Sequence, residues 1–242
     1  MPVVEFPLED ISRLFPDYDL SYLIDTLPFI GLDLEYRDDK SIRLEYSPNR
    51  PDFSTFYGIA RALSGLLGKE LGIPKFQVIE KKKNLITVDT SVSNVRPFIV
   101  GIVAKNHKLN NKTIKQIVSM QEDLHNGIGR GRSKASIGFH NLENIEFPLD
   151  YTTALENLSF TPLDYNSALT LTEILHKTDT GKKFGELVNG SIYPIIKDSR
   201  NTVISLPPII NSEITRIKEG VDNLFVEVTG ADKKTVDHVL AN

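Results

Sequence analysis

The sequence contains no cysteine. That removes disulfides, thiol nucleophiles, cysteine-ligated zinc and iron–sulfur clusters from consideration, and it suits a reducing compartment. No apolar run approaches the roughly 18 residues that a membrane span needs. The opening Met1-Pro2-Val3-Val4-Glu5-Phe6 has no basic region ahead of an apolar stretch, so a signal peptide is not expected. The histidines, at 107, 125, 140, 176 and 238, include no His-Glu-x-x-His pair, and a helical zinc site is not expected either. Gly-x-Ser-x-Gly is missing, which leaves an α/β-hydrolase serine without support. Internal repeats and low-complexity stretches are absent. The expectation is a soluble, cytoplasmic chain with no membrane partner and no bound metal.

What is present is ordinary in bulk. The 242 residues, 40% apolar and 25% charged, suit one or two globular domains. A chain of this length should bury roughly three quarters of its extended surface without a covalent staple. The net charge of −4 is uneven. Residues 1–80 carry 8 Lys+Arg against 14 Asp+Glu, a balance of −6, and residues 81–242 carry 20 against 18, a balance of +2. An acidic surface repels phosphates, so any nucleic acid is expected on the second part. An imbalance this small also fits plain solvated faces.

Periodicity divides the chain into two lobes. In the first, residues 2–7 predict a strand, 8–15 and 21–27 short helices, and 31–36 and 42–46 a hairpin with strict alternation. Pro48 and Pro51 exclude a helix at 47–52. Ser54 is placed to cap a helix running to about Leu67, with Gly68 at its stop. Gly72 to Lys83, with Pro74 and Lys81-Lys82-Lys83, predicts a connector. In the second lobe, 84–90 and 97–105 predict strands, 111–126 a helix, 135–139 a strand and 170–188 one helix. A hairpin is expected at 193–196 and 203–206, an alternating strand at 223–228 and a closing helix at 232–240. Strands and helices mix without regular βαβ alternation, which predicts an α+β fold. The expected form is a small α/β lobe over 1–80 and a mixed-sheet domain with flanking helices over 84–242.

Few segments invite chemistry. Gly127-Ile128-Gly129-Arg130-Gly131-Arg132 is glycine-rich, but it follows a helix, precedes a strand and has no Gly-Lys-Ser/Thr ending, so the nucleotide-loop reading fails. It reads either as a helix–strand connector or as a contact of Arg130, Arg132 and Lys134 with nucleic-acid phosphates. His140, just after a predicted strand, reads as a surface or packing residue rather than a base. Leu206-Pro207-Pro208-Ile209-Ile210-Asn211-Ser212-Glu213-Ile214-Thr215-Arg216 is the least usual stretch. Its prolines set an extended entry and remove two donors, and the loop then concentrates Asn, Ser, Glu and Arg, which together can hydrogen-bond an ammonium, an ester and a ribose.

An ordered set of segments resembles the β subunit of archaeal and eukaryotic phenylalanine–tRNA ligases. It comprises Met1-Pro2-Val3-Val4, Asn49-Arg50-Pro51-Asp52-Phe53 with Gly58-Ile59-Ala60-Arg61-Ala62-Leu63, Arg96-Pro97-Phe98, and Gln121-Glu122-Asp123-Leu124-His125. It continues with Ala135 to Leu142, Tyr193-Pro194-Ile195-Ile196-Lys197-Asp198-Ser199, Pro207 to Glu213, and Asn223 to Gly230. The family's subunit is longer than this chain. The match covers its amino-terminal domain, here 1–80, and its editing module, here 84–242.

The resemblance implies hydrolysis of tRNA-Phe mischarged with tyrosine, within an enzyme of two α and two β subunits. Adenylation, with ATP and Mg²⁺, belongs to the complete ligase and its α subunit, and this portion needs no cofactor. A phenylalanine pocket rejects an added hydroxyl only modestly, so a second site that hydrogen-bonds the phenol reverses the discrimination. By the resemblance Ile196 walls that pocket, Ser205 lines it, and Arg216, Glu227 and Thr229 are further pocket positions. Glu227 and Thr229, two apart on a strand, face one side, with Glu227 accepting the phenol proton. Some relatives carry Asp at Glu227 and Leu at Ile196. Asn211 and Glu213 are the candidates to hold the aminoacyl end or position water, with neither a covalent intermediate nor a metal. Two other readings stay open, a non-catalytic tRNA-binding scaffold and a repurposed amino-acid-binding domain.

Overall fold

The computed structural model describes residues 2–73, 78, 79, 83–106, 108–188 and 190–242. His107 and most of the expected connector, Pro74, Lys81 and Lys82 included, lie outside the described residues. The chain divides into two compact units, 1–78 with 115–123, and 79–114 with 124–242.

In the first unit, β1 (Val3–Pro7), α1 (Leu8–Leu14) and α2 (Leu20–Thr26) precede the hairpin β2 (Leu32–Arg37) and β3 (Ser41–Tyr46), and α3 (Phe56–Leu66) follows. The sheet order is β1-β3-β2, all antiparallel. Alternation on β3 sends Ile42, Leu44 and Tyr46 into a core with Phe6, Ile11 and Phe53. Helix α3 starts one residue later than expected. Thr55, not Ser54, accepts from the Gly58 N–H at 3.3 Å, while the Ser54 hydroxyl closes the preceding 3₁₀ turn onto the Pro51 carbonyl at 2.7 Å.

The second unit holds β4 (Ile86–Val88), β5 (Phe98–Ala104), both ends of α4 (Asn111–Asn126), β6 (Ala135–Asn141), β7 (Leu149–Leu155) and the small pair β8 (Ser159–Phe160) and β9 (Leu169–Thr170). Helices α5 (Leu171–Lys177) and α6 (Asp179–Phe184) lead to β10 (Ile192–Lys197), β11 (Val203–Leu206), β12 (Ile210–Asn211), β13 (Leu224–Gly230) and α7 (Lys233–Ala241). One sheet has the order β12-β11-β10-β7-β4 and another β5-β13-β6. Helix α7 packs on the three-stranded sheet.

The single helix expected over 170–188 is two helices. Thr178 leaves helical geometry, its hydroxyl donates to the Ile174 carbonyl at 2.8 Å, and it caps α6 by accepting from Gly181 N–H at 2.9 Å. The two helices meet so closely that a Cβ at Gly181 would lie 2.1 Å from the Ile174 oxygen. Thr170 and Glu173 form the reciprocal capping box of α5.

Strand β10 has a core on each face. Tyr193 and Ile195 pack with Leu171, Ile174 and Phe184 of the helices. Ile196 packs with Leu149, Tyr151 and Ile204 of its own sheet and with Phe225 of β13. That second layer gathers residues of both sheets, so β13 is covered by α7 on one side and by the larger sheet on the other. All seven of its residues are buried, although alternation is the usual pattern of a half-buried strand.

Candidate functional site

Five of the predicted site residues stand on the two sheets, three on the larger and two on the smaller. On the larger sheet, Ile196 pairs with Ser205 and Ser205 with Asn211, so β10, β11 and β12 each contribute one side chain to the same face. The Ser205 hydroxyl donates to Asn211 Oδ1 at 3.0 Å, and Asn211 Nδ2 donates to the Phe139 carbonyl on β6 at 3.4 Å. That bond ties the row to the opposite sheet.

On the smaller sheet, Glu227 and Thr229 share one face of β13. Glu227 lies between Gly101 of β5 and Gly138 of β6, and Thr229 lies opposite Ser136. A Cβ at Gly138 would sit 2.5 Å from Glu227 Oε1 and 3.1 Å from His140 Nε2. The glycine therefore makes the space that the carboxylate and the imidazole occupy. Glu227 is 2% exposed and His140 0%.

His140 Nδ1 meets the Thr215 hydroxyl at 2.9 Å, and that hydroxyl also donates to the Ser212 carbonyl at 3.2 Å. His140 Nε2 and Glu227 Oε1 face each other at 3.9 Å, beyond hydrogen-bond reach. His140 Nε2 and Glu227 Oε2 are both buried and have no hydrogen-bond partner among the described residues. Each such group costs the fold about 1–3 kcal/mol, more when charged, so its retention calls for an explanation, of which a functional role is one. His140, read from the sequence as a surface or packing residue, is thus a fully buried member of the polar cluster. Its chain neighbours gave no signal, because the contact is made across strands.

Arg96 underlies the same cluster. Its Nε donates to Thr229 Oγ1 at 2.9 Å, and its Nη2 reaches the Thr229 carbonyl at 2.8 Å and Ser136 Oγ at 3.1 Å. Burial pulls its pKa down to about 10, against the pull of Tyr151 and Glu227, so it stays cationic at neutral pH and offsets the Glu227 charge. Ser136 Oγ and Thr229 Oγ1 are 3.2 Å apart. Because Arg96 donates to both, their mutual bond uses one of the two hydroxyl protons and leaves the other to offer. Burial pushes the Tyr151 phenol up, and as a neutral group it donates to the Arg96 carbonyl at 2.7 Å.

Glu213 and Arg216 form a separate cluster. Arg216 donates to both Glu213 oxygens, at 2.7 and 2.9 Å, and pairs with Asp164, whose N–H also donates to Glu213 at 2.9 Å. Arg216 holds the Glu213 carboxyl below its ordinary range. Their turn connects to the main cluster through Thr215.

The basic trio is split. Arg130 is exposed and Lys134 half-buried. Arg132 is 8% exposed, its Nη1 donates to the Pro208 and Ile209 carbonyls at 3.1 Å each, and its guanidinium lies 4.1 Å from the Phe184 ring centre. The expectation that Arg132 meets phosphate is therefore corrected. The left-handed backbone at 130–132 turns it inward.

No protein-family model matches the chain. All of it aligns, at 42% identity, with 44% of the phenylalanine–tRNA ligase β subunit of Archaeoglobus fulgidus. It is 40% identical to the same subunit of Methanosphaera stadtmanae, over 99% of this chain and 43% of that one. The fold matches a crystal structure of an N-terminal fragment of the Pyrococcus horikoshii phenylalanyl-tRNA synthetase β subunit, with a TM-score of 0.90 and 29% identity over 99% of this chain and 73% of the fragment. The chain belongs to the phenylalanine–tRNA ligase β-subunit family. It corresponds to the amino-terminal portion and spans less than half the length of these relatives. The structural match extends over the α+β fold as a whole. Among the described residues, no helix is long and apolar enough to cross a membrane, and no group of three or more His, Cys, Asp or Glu is placed to hold a metal ion.

Proposed function

We propose that residues 84–242 are a tRNA-editing domain that hydrolyses tyrosine from mischarged tRNA-Phe, preceded in the chain by an amino-terminal domain over residues 1–80. The observation that carries this reading is Glu227 Oε2, a buried carboxylate oxygen with no hydrogen-bond partner among the described residues, on the strand whose Phe225 packs with Ile196 of the row Ile196–Ser205–Asn211. A tyrosyl phenol supplies the missing donor. A phenylalanyl ring leaves the carboxylate and the imidazole unpaired and forgoes that gain. Ile196 forms the apolar wall, and Thr229, with Ser136, offers the remaining hydroxyl proton.

In the hydrolysis, a water oxygen bonds to the ester carbonyl carbon, the bond to the ribose oxygen breaks, and that oxygen leaves with a proton. Asn211 Nδ2, which has a second proton besides the one given to Phe139, is the donor to the carbonyl or to the water, and Ser205 orients it by donating to its Oδ1. With both oxygens engaged by Arg216, Glu213 holds the loop and leaves the aminoacyl end to Asn211. Arg216 acts with it as a support for that edge of the pocket. Arg130 and Lys134 contact the tRNA backbone. The chain works in the cytoplasm beside an α subunit, and adenylation with ATP and magnesium belongs to the complete ligase.

The test is deacylation. The chain should release tyrosine from Tyr-tRNA-Phe and spare Phe-tRNA-Phe. A rate no greater than that of a Glu227→Ala, Ser205→Ala double variant would defeat the proposal, and retained tRNA binding in that case would leave a scaffold.

A further inference from the structure

The turn between α4 and β6 sends neighbouring cations in opposite directions. Arg130, Gly131 and Arg132 have φ of 49°, 61° and 67°, three successive residues in the left-handed region that side-chain-bearing residues rarely enter. The outcome is an exposed Arg130 and a buried Arg132. Arg132 lies with its guanidinium over Phe184 of α6 and gives two hydrogen bonds from Nη1 to adjacent carbonyls, Pro208 and Ile209.

Those carbonyls belong to the turn that joins β11 to β12. Pro207 and Pro208 have no N–H, so the turn holds more acceptors than donors. Its own closing bond is Ile209 N–H to the Leu206 carbonyl at 2.8 Å. The two carbonyls that Arg132 takes are therefore supplied from outside the hairpin. One residue before Leu206, whose carbonyl closes the turn, stands Ser205, and two after Ile209 stands Asn211, the pair joined by the Ser205–Asn211 hydrogen bond.

We propose that Arg132 is a positioning residue. Through the Pro208 and Ile209 carbonyls it holds the β11–β12 hairpin so that Ser205 and Asn211 keep their places in the site. The consequence for catalysis rests on the hydrolytic reading above, whereas the consequence for the hairpin does not. The same glycine-rich turn that carries Arg130 toward the tRNA backbone thus also supports the pocket from behind.

The test compares Arg132→Met and Arg132→Lys with Arg130→Ala in the 242-residue chain. Methionine keeps the packing on Phe184 and donates nothing, and lysine keeps the charge without the planar fork. For both Arg132 variants, amide exchange over residues 203–212 should quicken about 10-fold while β13 stays protected, since only the hairpin is released. With Tyr-tRNA-Phe, kcat should fall about 10- to 100-fold, the scale of a site displaced by an ångström, while KM and its salt dependence stay unchanged. Arg130→Ala should do the reverse, raising KM and lowering the salt slope by about one.

Arg132 variants that raise KM and flatten the salt slope at constant kcat would show a phosphate contact and overturn the proposal. So would unchanged exchange over 203–212, or faster exchange there with full kcat, which would make the clamp a feature of the fold alone. If methionine prevents folding, lysine decides. If the unaltered chain does not deacylate Tyr-tRNA-Phe, the editing reading falls, and exchange over 203–212 alone decides whether Arg132 holds the hairpin.

Discussion

Glu227→Gln isolates the chemistry assigned to the site, because it keeps the side chain's shape and removes its charge. In the structure the carboxylate is buried against Gly138, one oxygen has no hydrogen-bond partner among the described residues, and Arg96 is the buried cation whose charge it offsets. A phenol that donates to this oxygen forms a hydrogen bond to a charged acceptor, worth about 1.5–3 kcal/mol. At 1.36 kcal/mol per tenfold, the loss in kcat/KM for Tyr-tRNA-Phe should be about 10- to 150-fold. The background rate on Phe-tRNA-Phe should hardly move, since phenylalanine makes no bond to Glu227. The Tyr/Phe ratio should therefore fall by about the same factor. Arg96 loses its counter-charge but keeps Thr229 and Ser136 as acceptors. The cost in stability should accordingly stay near 1–3 kcal/mol, below the penalty for stranding a directly paired charge. The assay is single-turnover release of labelled amino acid from the two charged tRNAs, at a temperature below both melting transitions. A Gln variant that keeps the wild-type Tyr/Phe ratio would refute the assignment, whatever its stability.

Other consequences are simpler. Gly138→Ala places a methyl 2.5 Å from Glu227 Oε1; it should lower stability by about 1–3 kcal/mol and remove Tyr-tRNA-Phe deacylation, checked by denaturant midpoint and rate. Gly181→Ala meets the Ile174 carbonyl at 2.1 Å and should lower the melting temperature without changing the Tyr/Phe ratio, because it lies behind the site. Acidification should destabilise the chain. Lys177 and Thr170 hold Glu173 down to about 2. Burial pushes Asp198 up, but bonds from Arg200 and from the Thr202 and Arg200 N–H groups outweigh it and keep that carboxyl low. A carboxylate with a depressed folded pKa stabilises above its unfolded pKa and loses that as pH falls through the folded value. The urea midpoint should thus drop between about pH 4.5 and 2, and less steeply in Asp198→Asn.

Much of the fold was legible from local pattern. The bounds of α4 and the hairpin β10–β11 follow from periodicity, because helical and strand repeats act within a few residues. Strand β7 was missed. Its run Leu149-Asp150-Tyr151-Thr152-Thr153-Ala154-Leu155 alternates poorly, and it is held between β10 and β4 by partners far along the chain. The helix over 170–188 was merged because Thr178, an ordinary helix-compatible residue, stops one helix and caps the next only where the chain folds back at Gly181. The pocket positions proposed above rest on family resemblance, since no local pattern singles them out.

The sequence by itself determined the α+β class, the short elements and the residues available for chemistry, since composition, caps and turn residues act locally. The tertiary structure decided which of those residues meet. It buried both faces of β13 and so left Glu227 and His140 together out of water. It also turned Arg132 onto the Pro208 and Ile209 carbonyls and left Arg130 outside. Those outcomes depend on strand register and on left-handed backbone at a turn, and both are set by contacts between segments rather than by spacing along the chain.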